Sequence, residues 1–308
     1  MELTMRRYHD DGDYWRIRQF LRAVAPGNRA WDLNWAVYRF DYCRWHAWEN
    51  IEHPWLPDAV FLWETADGRL AAVVHPEGKG EAFLEVDPVL RTPALEAAML
   101  ARAEAQLADT GRDGRRRLAV WVNEHDNLRQ QVLRSRGYRQ DSGPEYQRRR
   151  SLDLPILQTA PGAGYTVRAL GDREELPARS WASWRAFHPD EPAGRYRGWE
   201  WYENVQRAPL YRRDLDLVAV APGGEIAAFC TVWFDDVTRA AAFEPVGTAP
   251  EHQRRGLARA VMSEGLRRAQ HLGATVATVG SYSPSAHALY AAIGFTDYAL
   301  SYPWVREW

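Results

Sequence analysis

Apolar and polar positions alternate along this 308-residue chain in two rhythms. Leu257, Val261, Leu266, Ala269 and Leu272 recur close to helical spacing, which predicts an amphipathic helix over Gly256–Leu272. Shorter apolar runs bounded by turn residues predict strands. Ala66-Asp67-Gly68-Arg69-Leu70-Ala71-Ala72 and Pro222-Gly223-Gly224-Glu225-Ile226-Ala227-Ala228 each set turn residues between two such runs, a hairpin signature. Gly68 and Gly224 are 156 positions apart. Pro88 and Pro250, each after a strand-like segment, are 162 apart, and the glycines of Arg136-Gly137-Tyr138 and Ile293-Gly294-Phe295 are 157 apart. Three features in one order at nearly one offset argue for a duplicated fold.

Each half then predicts the same elements. An opening strand (Met5–Tyr8; Tyr165–Leu170) leads to a helix (Asp11–Ala23; Asp172–Phe187) and a Trp-rich helical stretch (Trp31–Trp48; Trp199–Arg207). Three antiparallel strands precede a long helix (Thr92–Leu107; Gly256–Leu272). A buried strand (Arg117–Val122; Thr275–Val279), a short helix (Asn127–Ser135; Ser285–Ala292) and closing strands complete the set. Residues 154–163, rich in Pro and small residues and free of charge, read as a linker between domains at 1–153 and 164–308.

Composition is ordinary for a globular chain, with 46% apolar and 26% charged residues and a net charge of -2. That balance argues against nucleic-acid binding. No apolar run reaches the ~20 residues of a membrane span, and the first residues lack a leader-like core, so a soluble, cytoplasmic protein is expected. Cys43 and Cys230 lack metal or redox spacing, and no His/Cys cluster suggests a metal. The run Tyr146-Gln147-Arg148-Arg149-Arg150 reads as a charged strand edge.

One segment carries chemistry. Phe243 to Val261 reads as a strand, a turn closed by Pro250, and a helix opening at Gly256. A helix N-terminus presents unpaired N–H groups and about half a positive charge, so it holds anions. Gly256 and Ala258 let a pyrophosphate approach, and Arg254, Arg255 and Arg259 add positive charge. Neither a P-loop nor a dinucleotide fingerprint is present. Gln253-x-x-Gly256-x-Ala258, after Val246-x-Thr248-x-Pro250, resembles the acyl-CoA signature of the GNAT superfamily of N-acetyltransferases. Ser283-x-x-Ala286-x-x-Leu289-Tyr290-x-x-x-Gly294-Phe295 is similar to that family's final helix and strand, with Ser283 where Asn is usual.

The resemblance implies an α/β (α+β) fold of two tandem domains, each a mixed, mostly antiparallel twisted sheet flanked by helices. It implies acetyl-CoA as cosubstrate, with the pyrophosphate on the backbone N–H groups of Arg254, Arg255, Gly256, Leu257 and Ala258, next to the motif's Gln253. The pantetheine arm would run along Val246, Gly247 and Thr248 in a splay between two strands, with Ser283 nearby. Tyr290 would be the general acid toward the leaving thiolate, or else a core aromatic. Glu244, in an apolar strand, is a candidate base for the amine, or is tied to a neighbouring arginine.

Aligned on the shared proline, Arg91 falls at Gln253, Pro93 at Arg255, Ala94 at Gly256 and Glu96 at Ala258, and aligned on the shared glycine, Leu133 replaces Tyr290. The first half is therefore expected to keep the fold without binding acyl-CoA. Trp181, Trp184, Trp199 and Trp201, with Asp190, Glu191, Glu200 and Asp235, could shape a pocket for an ammonium group, or the indoles could simply pack. The activity expected is acetyl transfer to a primary amine of a small molecule or peptide, by a monomer or homodimer. A silent acyl-CoA sensor is the alternative.

Overall fold

The computed structural model describes residues 2–27 and 33–308, so Trp31 of the expected Trp-rich helix lies outside the described residues. The chain packs as two compact units, Met1–Tyr146 with Ala299–Trp308, and Gln147–Tyr298.

In the first unit β1 (Thr4–Arg7) leads to α1 (Asp11–Val24), which starts where the Asp10 carboxylate accepts from the Gly12 N–H. α2 (Val37–Tyr42) runs into a π-helical stretch, Cys43–Glu52, followed by the short α3 (Leu56–Ala59). β2 (Phe61–Glu64), β3 (Leu70–His75) and β4 (Glu81–Val86) extend the sheet from β1 in antiparallel order. α4 (Pro93–Gln106) crosses over, so β6 (Arg116–Asn123) lies parallel to β4, and β5 (Asp109–Thr110) pairs with β6. α5 (Asn127–Ser135) and β7 (Arg139–Gln140) follow, and most of β8 (Glu145–Ser151) belongs to the second unit. Leu95, Met99, Leu100 and Ala103 of α4 form the apolar stripe that covers this sheet.

The second unit repeats the plan. β9 (Thr166–Ala169), α6 (Leu176–Phe187) and α7 (Trp201–Gln206) precede the antiparallel β10 (Asp216–Val220), β11 (Ile226–Asp235) and β12 (Ala240–Thr248). α8 (Leu257–His271) crosses to β13 (Val276–Ser281), parallel to β12, and α9 (Pro284–Ala292) follows. β11 is buried throughout, which explains its unbroken apolar run from Ile226 to Cys230. Val261, Leu266 and Ala269 of α8 pack on Leu217, Val232 and Phe243, each large side chain contributing about 1.5–3 kcal/mol. Gly265 lets this helix lie close: a Cβ there would come within 2.9 Å of both Phe243 and Val232. Gly265→Ala would overpack this contact, at about 1–3 kcal/mol.

The echoes in the sequence are echoes of backbone geometry. Thr65–Arg69 and Ala221–Glu225 close the same turn, with Gly68 and Gly224 at φ 80 and 93°. Asp87 N–H bonds to Ala71 C=O as Ala249 N–H bonds to Ala227 C=O, at 2.8 and 2.9 Å. Tyr138 N–H to Leu133 C=O (3.1 Å) matches Phe295 N–H to Tyr290 C=O (2.9 Å), so Leu133 and Tyr290 occupy equivalent places.

Residues 154–163 carry no helix or strand. The units nonetheless divide differently from 1–153 and 164–308. β14 (Asp297–Glu307) pairs with β6 from Ser301↔Asn123 to Glu307↔Arg117, which puts the end of the chain in the first unit. Residues 147–153 join the second: Leu152 N–H bonds to Thr275 C=O. The basic run there is not an exposed edge. Arg148 and Arg150 are buried, and their guanidinium groups donate to Ser281 Oγ, Phe295 C=O and Ile293 C=O, which satisfies otherwise costly charges.

Candidate functional site

The site in the second unit begins with strand pairing. The β12–β13 ladder joins Ala240–Ala242 to Val276–Thr278 and stops, although β12 continues to Thr248 and β13 to Ser281. The two strands therefore part after Ala242. On its other edge β12 stays paired, Val246, Gly247 and Thr248 opposite Cys230, Phe229 and Ala228. Gly247 must be small: a Cβ would stand 2.3 Å from the Phe229 ring and 3.0 Å from Ala186 of α6. The ladder also slips here, passing from Cys230↔Val246 to Val232↔Phe243. One residue of β11, Thr231, faces two of β12, Glu244 and Pro245, which is a bulge on β12. Pro245 has no N–H to give a ladder, so its place in a central strand is the local cause.

Beyond Thr248 the chain turns through Pro250–His252 to α8. Arg254 and Gly256 both take left-handed backbone angles, φ 60 and 74°, two residues apart. Alternation of this kind curls successive N–H groups into a concave nest. Nothing lies within 4 Å of where a Gly256 Cβ would be, so the nest opens outward. No side chain caps α8; its first intrahelical bond is Ala260 N–H to Gly256 C=O, which leaves the N–H groups of Leu257, Ala258 and Arg259 ahead of it. Arg254, Arg255 and Arg259 are exposed and, among the described residues, have no ion-pair partner. The Gln253 carboxamide reaches Thr248 C=O at 3.4 Å. The turn is braced by Arg185 to Glu251 (2.6 Å), which lowers the Glu251 pKa, and by Tyr165 Oη to His252 Nδ1 (2.9 Å).

Tyr290 is buried on α9, edge-on to Phe295 at 6.3 Å. Burial pushes its pKa up, with smaller contributions from Cys230 and Glu244, so these three side chains share one neighbourhood. Glu244 is half-buried at the bulge, and its carbonyl accepts from the Trp233 indole N–H at 2.5 Å. Ser283 caps α9, accepting from the Ala286 N–H at 3.3 Å. His287, one turn before Tyr290, bonds through Nδ1 to Ser281 Oγ at 2.8 Å; burial and Arg148 lower its pKa.

Residues 174–295 match the model of the Acetyltransferase (GNAT) family. The second unit carries a GNAT acetyltransferase domain. The family generally uses acetyl-CoA. Comparison with curated proteins returns no match. Among solved structures, a GCN5-related N-acetyltransferase from Sphaerobacter thermophilus is similar over 99% of this chain and 95% of its own, at 16% identity and a TM-score of 0.67. A tandem GNAT protein from the clavulanic acid biosynthesis pathway is similar over 99% and 98%, at 16% identity and a TM-score of 0.67. A GNAT-family acetyltransferase from Colwellia psychrerythraea is similar over 98% and 100%, at 14% identity and a TM-score of 0.63. At these identities the likeness is one of fold, and it runs the length of the chain, first unit included.

The GNAT domain's counterpart in the first unit differs at each step. There too the parallel ladder is short, joining Glu81–Ala82 to Ala119–Val120 before β4 runs on to Val86. The freed edge is covered. Asn34 donates its amide to Val86 C=O (2.9 Å) and accepts the Val86 N–H (2.6 Å). By register, Ala72↔Val86 matches Ala228↔Thr248, so Val86 corresponds to Thr248. The helix start differs as well. From the shared proline to the cap, Pro88 to Thr92 is two residues shorter than Pro250 to Gly256, so Thr92 stands opposite Gly256 and Glu96 opposite Ala260, not Ala258. Thr92 Oγ1 accepts the Leu95 N–H at 3.1 Å, and Pro93 has none to offer. The Glu96 carboxylate is buried against Arg91 (2.5 Å) and Arg129 (2.9 Å), and Arg91 also holds Asp126 at 2.7 Å. Burial alone would raise the Asp126 pKa, but Arg129 and Arg91 outweigh it and hold it low.

In the Trp-rich segment, Trp181 and Trp184 stack at 5.3 Å and Trp184 on His188 at 5.8 Å, with Tyr196 against both indoles. The four carboxylates have different surroundings. Asp235 is buried in the β11–β12 turn, holding Thr238; Glu200 accepts from Trp199 N–H; Glu191 lies 3.9 Å from Arg195; Asp190 is exposed. A further buried carboxylate is Asp216, unmarked in the sequence because it sits at a strand start with no motif around it. No helix among the described residues is long and apolar enough to cross a membrane.

Proposed function

We propose that the second unit moves an acetyl group from acetyl-CoA to a primary amine of a small molecule or peptide. The observation that carries this reading is the uncapped, left-handed entry to α8, flanked by arginines without an ion-pair partner among the described residues, at the end of a strand that parts from β13 after Ala242. In this reading the N–H groups of Arg254 to Ala258 hold the pyrophosphate and the β12 edge from Val246 to Thr248 holds the pantetheine amides, with Gln253 and Ser283 at the margins.

The amine nitrogen attacks the thioester carbonyl, and the C–S bond breaks. The Glu244 carboxylate, directly or through water, takes the proton the attacking amine must lose. The Tyr290 hydroxyl gives its proton to the departing thiolate. Burial keeps that hydroxyl protonated at neutral pH, the form a proton donor needs. The first unit, with its strand edge paired by Asn34 and its helix start capped by Thr92, has a structural duty and binds no acyl-CoA. The test is release of CoA thiol from acetyl-CoA in the presence of a panel of aliphatic, aromatic and amino-acid amines. Amine-dependent release supports transfer. Binding of acetyl-CoA without release from any amine would instead support a sensor.

A further inference from the structure

The bulge on β12 takes the Glu244 carbonyl out of the ladder, and a carbonyl left buried without a donor costs about 1–3 kcal/mol. Trp233, 1% exposed, supplies that donor through its indole N–H. The indole is itself backed by Tyr211, whose ring stands edge-on at 6.2 Å. Tyr211 is in turn fixed by two hydrogen bonds: its hydroxyl donates to Asp216 Oδ2 (2.9 Å) and accepts from Gln206 Nε2 (2.9 Å). Asp216, fully buried, also accepts from the Tyr202 hydroxyl (2.5 Å) and from Thr231 Oγ1 (3.3 Å), the residue facing the bulge. Arg179, fully buried over the Phe229 ring, closes the network on Asp216 and Thr231 at 3.4 and 3.3 Å. β11 is thus tied to this carboxylate directly through Thr231, and β12 is linked to it through the Trp233 indole and its ring contact with Tyr211.

We infer that Trp233 is a positioning residue: by holding the Glu244 carbonyl it sets the direction of the Glu244 side chain. The inference rests on the reading of Glu244 as base given above. Where the bulge interrupts the ladder, the indole bond fixes the Glu244 peptide, and with it the backbone from which the side chain leaves.

The test is a double-mutant cycle of Trp233→Phe and Glu244→Gln, read by CoA thiol release with the best amine of the panel and by calorimetric acetyl-CoA affinity. Trp233→Phe keeps an aromatic ring and loses the N–H. The expected result is a kcat lower by about tenfold, acetyl-CoA affinity within about twofold of wild type, and a displaced acid limb of the pH–rate profile. In the Glu244→Gln background the same change costs nothing further. Wild-type kcat and pH profile in Trp233→Phe overturn the inference, as does an equal loss in both backgrounds. A fully active Glu244→Gln instead overturns the assignment of the base, and this inference with it. Should Trp233→Phe fail to fold, Tyr211→Phe, which removes only the hydroxyl bonded to Asp216, must show the same displacement of the pH profile in smaller measure, and an unmoved profile overturns the inference.

Discussion

The two units bring a strand and a helix to the same corner and finish it in opposite ways. In the second, the helix start is uncapped, curled by Arg254 and Gly256, and left among unpaired cations. In the first, Thr92 caps the helix, Pro93 removes a donor, and Glu96 lies buried between Arg91 and Arg129. One strand edge takes only the Gln253 carboxamide, on Thr248 C=O; the other has both the N–H and the C=O of the equivalent Val86 paired by the carboxamide of Asn34. A carboxamide satisfies the same N–H and C=O that an amide of a bound arm would, and the Glu96 carboxylate neutralises Arg91, which stands opposite Arg255. The corner of this fold needs those groups answered. Duplication allows one copy to answer them from its own chain and the other to leave them for a ligand.

The comparison is broken most forcefully from the first side. Glu96→Ala leaves two buried guanidinium groups with half their partners, and we expect a loss of about 3–5 kcal/mol in denaturant unfolding, without the appearance of a second acetyl-CoA site. On the other side, Gly256→Glu brings a carboxylate to the nest and a Cβ to a left-handed residue. Acetyl-CoA affinity should fall by about 100-fold or more in calorimetry, because like charges placed together cost several kcal/mol.

Tyr290→Phe sharpens the contrast with Leu133. It should lower kcat by about 100-fold and leave acetyl-CoA binding unchanged. The hydroxyl's folded pKa lies above its ordinary value of 10.0. It keeps its proton up to and beyond that pH, so the ratio of wild-type to variant rate should stay flat from about pH 7 to pH 10, as a rate–pH series would read. The same shift contributes stability in full below pH 10, and that contribution fades as pH rises through the folded value. The smallest effect belongs to Asn34→Ala, which strips both partners from Val86. Thermal or chemical unfolding should register about 1–3 kcal/mol.

Much of this was legible before any coordinates. Turn glycines, the strand-closing prolines and the spacing of Leu257 to Leu272 mark backbone features that are local, and local features survive in sequence. The contacts that separate the halves are not local. Asn34 meets Val86 across 52 residues, and no motif announces a side chain that substitutes for a strand. Comparing the halves without a gap hid the shorter loop before Thr92 and misplaced Glu96 by two positions. Pro245 inside an apolar strand was a visible sign of the bulge, but its consequence, the bond from Trp233 to the Glu244 carbonyl, depends on strand register. The allegiance of the last strand follows from β6 offering a free edge, which only the assembled sheet reveals.

The central claim is that one corner binds acyl-CoA and the other is filled. The most direct measurement is the stoichiometry of acetyl-CoA binding to the intact chain by isothermal titration calorimetry. The account predicts one site per chain, abolished by Gly256→Glu and untouched by Asn34→Ala. Two sites per chain, or one site that survives Gly256→Glu, would contradict it.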